Sequence, residues 1–448
     1  MTAAAARELG WSGIVRLGLV QTALGAIVAL TTSTMNRVMV VELALPAMLP
    51  GALVALHYAV QVLRPRLGYG SDVGGRRTPW IIGGMATLAL GGVGAAAATA
   101  LMGTALAAGI AAAVVSFALI GVGVGAAGTS LLVLLAKRVD ARRRAAAATI
   151  VWLMMIAGIV VTATVAGGLL DPFSPGRLVA VTAGVAAAAF ALSLVAVWNV
   201  EGPAGGGLHA VPAAKPAFAE ALRQVWAEPQ ARRFAIFVFV SMLAYSAQDL
   251  ILEPFAGSVF GYTPGESTRL AGLQHAGVLA GMILVAIAAS GLRRGTLRAW
   301  TIAGCIGSAA ALASLALAGL AGPSWPLRVS VVALGLANGA FAVAAIGSMM
   351  GLADSGRESR EGVRMGLWGA AQAIAFGLGG FLGTAASDLA RYVLGEPGVA
   401  YATVFAGEAV LFLVAAVLAA RITRPHAARA AVPLAVPADA LAPGIGRH

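Results

Sequence analysis

Gly68-Tyr69-Gly70-Ser71-Asp72-Val73-Gly74-Gly75-Arg76-Arg77 is a polar, glycine-rich string set between two strongly apolar runs, 46–63 and 79–101. Glycine permits the tight turn that two antiparallel helices need at such a junction. Asp72 is placed to approach a helix N-terminus, where a carboxylate is favoured by ~0.3–1 kcal/mol. Arg76 and Arg77 are placed to reach neighbouring helix ends and lipid headgroups. The string therefore reads as a gating loop, with Gly68, Asp72, Gly75, Arg76 and Arg77 locking helices rather than holding a ligand. Working outward, apolar runs follow one another along the whole chain: 13–36, 46–63, 79–101, 107–136, 146–170 and 178–199, then 234–253, 269–290, 299–320, 327–350, 365–387 and 401–420. Each is close to the ~20 residues that a spanning helix needs. Apolar residues make up 60% of the 448 positions and charged residues 11%, with mean hydropathy +0.89, whereas a soluble chain carries roughly 25% charged residues. The expected fold is an all-α membrane protein of twelve transmembrane helices in two six-helix halves.

The basic residues orient the spans. Of 30 Lys and Arg, only Arg37, Arg177, Arg269, Arg328 and Arg391 fall on one side, and the rest lie in the tails and even-numbered loops. Both termini are therefore expected on the cytoplasmic side of the membrane. The net charge of +12 needs no nucleic acid, since basic clusters beside anionic headgroups account for it. Cys305 is the only cysteine, so no intramolecular disulfide forms. The expected organisation is an N-terminal half over 1–200, a cytoplasmic linker over 201–233 with a surface helix from Phe218 to Trp226, a C-terminal half over 234–421, and a disordered tail over 422–448.

Two short polar strings close equivalent spans of the two halves: Asn36-Arg37-Val38-Met39-Val40-Val41-Glu42 in the first and Gln248-Asp249-Leu250-Ile251-Leu252-Glu253-Pro254 in the seventh. Charge near a bilayer core is costly unless it is paired, faces a cavity or has a function. Arg37 and Asp249 are accordingly expected to pair between the halves, flanked by Glu42 and Glu253. Glu408, within the twelfth span, is a further outlier: either a proton site or a neutral carboxyl bonded to a neighbouring helix, the second being preferred.

The loop at Gly68–Arg77 resembles the major facilitator signature of Gly, Asp four residues later, then Gly-Arg-Arg, with Val73 where a basic residue is usual. Three stretches resemble the PucC/LhaA group, the bacteriochlorophyll delivery branch of that superfamily. They are Gln248–Gly257 in the seventh span, Gly366–Gly380 in the eleventh, and Arg16–Leu19 with Asn36–Leu43 in the first. The second span, Leu56-His57-Tyr58-Ala59-Val60-Gln61, departs from the PucC and LhaA form and points to the sister branch associated with bacteriochlorophyll synthase. The resemblance implies a factor that binds bacteriochlorophyll, or a late precursor, and passes it from the synthase towards light-harvesting polypeptides. Those two are the expected partners, beside the bilayer. It implies no nucleotide and no catalysis, and the chain holds neither a phosphate-binding Gly-x-x-x-x-Gly-Lys loop nor a helical pair of zinc-spaced histidines.

Imidazole is a good axial ligand for a chlorophyll magnesium, and only His57 and His275 lie within spans. His57 is the first candidate and His275 the second. Tyr58, Gln61, Gln372 and Trp368 are candidate pocket residues around the pigment. The runner-up function, which the fold by itself suggests, is a proton-coupled small-molecule exporter.

Overall fold

The computed structural model describes residues 9–61, 76–140, 143–201, 223, 226–291, 294–354 and 361–422. Gly68, Asp72 and Gly75, the expected surface helix apart from Arg223 and Trp226, and nearly all of the tail lie outside the described residues. Twelve helices carry the fold: α1 (Trp11–Glu42), α2 (Met48–Val60), α3 (Thr78–Met102), α4 (Leu106–Arg138), α5 (Arg144–Leu169), α6 (Pro175–Val197), α7 (Pro229–Phe260), α8 (Pro264–Ala286), α9 (Leu297–Ala321), α10 (Leu327–Asp354), α11 (Glu361–Leu394) and α12 (Pro397–Arg421). All except α2 are long and apolar enough to cross a bilayer, and α2 is an apolar helix of 13 described residues.

Packing repeats between the halves. Helix α1 packs on α5 and α6 as α7 packs on α11 and α12; α3 packs on α4 and α6 as α9 packs on α10 and α12; α2 packs on α4 as α8 packs on α10. One buried core joins residues from Leu9 to Val200 and a second joins Phe234 to Ala419, with Leu250 reaching across into the first. The halves meet along α2–α11 and α5–α8, a pair of contacts that the same repeat relates.

Two expected boundaries move. Both polar strings are helical, the first forming the last turns of α1 and the second lying inside α7. Helix α1 runs on to Glu42 through two π turns, Leu30–Thr34 and Val38–Glu42. Helix α7 starts at Pro229, inside the expected linker, and continues past Pro254 to Phe260, where Gly261 adopts a left-handed φ of 70° and its N–H donates to the Ala256 and Gly257 carbonyls. Glycine pays no Cβ penalty there. Both strings lie where α1 and α7 meet across the halves.

Candidate functional site

The end of the bundle opposite the termini is tied shut from both halves. Asp388 of α11 accepts from the backbone N–H of Ala47 and Met48 at 2.9 and 2.8 Å, capping α2, whose own N-terminal residue Ala47 has no side chain able to do so. Asp171, after α5, pairs with Arg269 of α8 at 3.1 Å. Thr34 and Thr268 share a hydrogen bond at 2.9 Å, and Ser33 donates to Glu253. Asn36 donates to the carbonyl of Leu250.

Arg37 is buried at this closure. Its guanidinium pairs with Glu42, donates to the Tyr262 carbonyl and lies across Gly257, where a Cβ would come within 3.0 Å of it. The expected pair with Asp249 is therefore corrected: Glu42, one π turn further along α1, reaches Arg37. Arg37 and Glu42 line a separate pocket of about 590 Å³ at the far end, with Asp171, Phe173 and Tyr262.

Beneath the closure lies a cavity of about 350 Å³ lined by α1, α2, α4 and α5 from one half and α7, α8 and α11 from the other. It gathers His57, Tyr58, Gln61, His275, Gln372, Asp249 and Glu253, which the sequence places on four different helices. One wall is aromatic: Tyr58 lies 5.5 Å from Phe376, and Phe376 5.9 Å from Tyr245, between ring centroids. The facing wall carries Trp152, Met155, Ile156 and Ile159 of α5 and His275 of α8. Asp249 and Glu253 occupy the closed end, where Glu253 accepts from Ser33, and Gln274 and Thr268 lie beside them on the lining.

The two histidines differ in what holds them. The Nε2 of His57 is 2.9 Å from the Gln61 amide nitrogen, and its ring stands edge-on to Tyr58 at 4.8 Å. This contact engages the Nε2 of His57 in a hydrogen bond with a neighbouring side chain. His275 instead has Nδ1 2.9 Å from the Ala271 carbonyl, which fixes Nδ1 as the N–H and leaves Nε2 with the lone pair. A backbone bond to one ring nitrogen that orients the other is the usual support of a metal-ligating imidazole. The Nε2 of His57 is thus engaged by Gln61, whereas the bond that holds His275 is made through its Nδ1.

Trp368 is also corrected. It is 1% exposed, donates from Nε1 to the Ala231 carbonyl at 3.2 Å and packs on Phe234 at 4.8 Å. It belongs to the core of the second half. Glu408 is buried in α12 with neither carboxylate oxygen hydrogen-bonded among the described residues, and it interacts electrostatically with Asp249. The preferred reading of a carboxyl bonded to its neighbour is not what the described residues show. Gln248, the repeat mate of Asn36, likewise has neither amide atom paired among them.

Sequence reasoning named Tyr245 and Trp152 as candidate pocket walls, and both line the cavity; it missed Asp388, Phe376 and Glu201. The last follows α6 and accepts from the backbone N–H groups of Arg77 and Thr78 and from the Thr78 hydroxyl, at 2.6–3.0 Å. Arg77 thus marks the start of α3, held by the last turn of the half, while Arg76 is exposed. Burial pushes the Glu201 carboxyl up, but these hydrogen bonds and the Arg76 charge outweigh it and hold it below its ordinary value. The signal for Asp388 was the absence of any capping side chain before α2.

Twelve packed helices in two repeat-related halves around a cavity closed at one end define a multi-pass membrane protein of the major facilitator fold. A solved D-xylose–proton symporter superposes with a TM-score of 0.67 at 16% identity, covering 93% of this chain and 98% of that one. The chain belongs to the PUCC protein family, which matches residues 34–427. It is 54% identical over 412 residues to the bacteriochlorophyll synthase 44.5 kDa chain of Rhodobacter capsulatus, covering 92% of this chain and 95% of that protein. It is 31% identical over 435 residues to protein PucC of Rhodobacter capsulatus, covering 92% of each.

Proposed function

We propose that this protein binds bacteriochlorophyll and delivers it, within the photosynthetic inner membrane, from its synthase towards light-harvesting polypeptides. The observation that carries this reading is His275, oriented through Ala271 on the wall of a cavity that is also lined by the tilted ring cluster of Tyr58, Phe376 and Tyr245. A flat macrocycle needs an aromatic or aliphatic wall to lie against and one axial donor for its metal, and the cavity supplies both. The names of the two relatives tie the family to this pigment system. We infer a carrier or assembly role rather than catalysis, although the first relative is named as a synthase chain. The fold is shared with a solute symporter, and since fold alone does not assign chemistry, the reading rests on the cavity and on the family.

In this reading both termini are cytoplasmic and the tied end is periplasmic. Pigment enters and leaves on the cytoplasmic side of the closure. His275 holds the ring, Gln372 and Gln61 offer amide hydrogen bonds to its carbonyls, and the closed end keeps out periplasmic water. The competing reading is a proton-coupled exporter, favoured by the carboxylates of Asp249 and Glu253 in the same cavity. Affinity purification from a phototrophic host in mild detergent tests the choice. The account expects bacteriochlorophyll at a fixed ratio to protein, together with the synthase or antenna polypeptides above a control membrane protein. Recovery of neither, with pH-driven solute uptake into vesicles, favours the exporter.

A further inference from the structure

Asp249, Glu253 and Glu408 are buried carboxyls to which the pigment-binding reading above assigns no task. Asp249 and Glu253 stand one helical turn apart on α7 and line the cavity. Glu408, in α12, is 4% exposed, lies outside the lining and interacts electrostatically with Asp249. Of their six oxygens, Asp249 Oδ1, Glu253 Oε2 and both of Glu408 have no hydrogen-bond partner among the described residues. An ionised carboxylate in an apolar interior needs donors or a cation. Arg37, which acts on Glu253, is committed to Glu42 and to the Tyr262 carbonyl. Among the described residues no Lys or Arg lines the cavity. Carboxyls that share a site also oppose each other's charge. The group is therefore a set of neutral acids, each with an O–H to donate.

Asp249 is the member that can offer this O–H to a ligand. Glu253 is 1% exposed and already takes the Ser33 hydroxyl, and Glu408 does not reach the lining. Asp249 lines the cavity and is only half-buried. Tyr245 lies one turn before it on α7, and Gln274 of α8 lies beside it on the lining. His275 follows Gln274 in the chain and lines the same cavity. A macrocycle held at its centre by His275 thus brings its rim towards Asp249. The rim of a bacteriochlorophyll ring carries conjugated carbonyls, which accept hydrogen bonds. A buried donor left without an acceptor is costly, and a site built to hydrogen-bond one ligand group discriminates strongly against a ligand that lacks it.

We infer that Asp249 sets the orientation and specificity of the site: as a neutral acid it donates its O–H to a conjugated carbonyl on the ring's rim while His275 holds the centre. The ring then sits with a carbonyl-bearing edge towards the closed end. This inference rests on the pigment-binding reading and adds the group that recognises the rim.

The test is vibrational spectroscopy of the full-length protein purified with bound bacteriochlorophyll. A hydrogen-bonded conjugated carbonyl stretches at lower frequency than a free one, and resonance Raman reads that shift in the pigment alone. The unaltered protein should show at least one lowered carbonyl band. In Asp249→Leu that band should return to the free frequency, with pigment still bound. In Asp249→Asn, whose amide N–H can donate, it should stay lowered. The infrared difference between the unaltered and Asp249→Asn proteins should contain a protonated-carboxyl band at neutral pH.

Bound pigment with every conjugated carbonyl free overturns the inference. So does a lowered band that persists in Asp249→Leu, because the donor is then another residue such as Gln61 or Gln372. Loss of the lowered band in Asp249→Asn, or no protonated-carboxyl band in the infrared difference, overturns it as well. Should Asp249→Leu fail to accumulate, the unaltered and Asp249→Asn proteins decide by these same bands. Absence of pigment from every one of these proteins overturns the pigment-binding reading instead.

Discussion

Asn36 of α1 donates its side-chain amide to the carbonyl of Leu250 in α7, and that carbonyl is the one Pro254 cannot serve. Within a helix the N–H of residue 254 would bond the carbonyl of residue 250, and proline has none. In a bilayer an orphaned carbonyl finds no water. The first half of the molecule therefore completes the backbone of the second, and the halves are joined where one helix is incomplete.

Replacing Asn36 by Leu should destabilise the detergent-solubilised protein by ~1–3 kcal/mol, the usual cost of leaving a buried acceptor unmet. Pro254→Ala restores the N–H and should reduce the cost of Asn36→Leu to ~0.5 kcal/mol, in line with ordinary interhelical hydrogen bonds in membranes. Thermal midpoints of the two single variants and the double variant measure the coupling. Strict additivity would show that the proline and the amide act independently.

Charge exchange at the far end distinguishes the observed partner of Arg37 from the expected one. Arg37→Ala should cost about 1–3 kcal/mol, below the ~3–5 kcal/mol of a fully buried pair, because the Glu42 side chain keeps 35% of its surface and is partly screened. Arg37→Glu combined with Glu42→Arg should recover much of the lost accumulation in membranes. Arg37→Asp combined with Asp249→Arg should not, and recovery by that second exchange would restore the Arg37–Asp249 pair.

Glu201 links the ends of α3 and α6 in a pH-dependent way. Its carboxyl is held below the ordinary value of 4.5 in the folded protein, so the folded state favours the ionised form. That stabilisation is complete above the unfolded value and is lost as pH falls through the lower folded value. Glu201→Gln should lower the thermal midpoint at neutral pH, and the gap to the unaltered protein should close on acidification below about 4.5. A gap independent of pH would mean that the carboxylate charge is not what holds Arg77 and Thr78.

The number of helices, their two-half arrangement and the residues gathered in the cavity were legible in the sequence because each rests on a local signal. Apolar length marks a span, and a lone histidine, amide or acid within a span marks a face turned away from lipid. What the sequence hid depends on rotation and register. Arg37 and Asp249 hold matching places in the repeat, but the π turns in α1 carry Glu42 to Arg37, and a π turn leaves no mark in a run such as Val38–Glu42. Trp368 sits beside Gln372 in sequence, yet one helical turn separates a core side chain from a cavity side chain. His57 outranked His275 on its neighbours Tyr58 and Gln61, and the same Gln61 proves to occupy its Nε2.

The most direct measurement is the absorption spectrum of the protein purified from its phototrophic host, taken beside His275→Phe and His57→Phe proteins prepared in the same way. If His275 holds the magnesium of the pigment, the unaltered protein carries a bacteriochlorophyll band that is lost or displaced in His275→Phe. The same band persists in His57→Phe, with at most a reduced yield. An unchanged band and unchanged pigment content in His275→Phe would contradict the account.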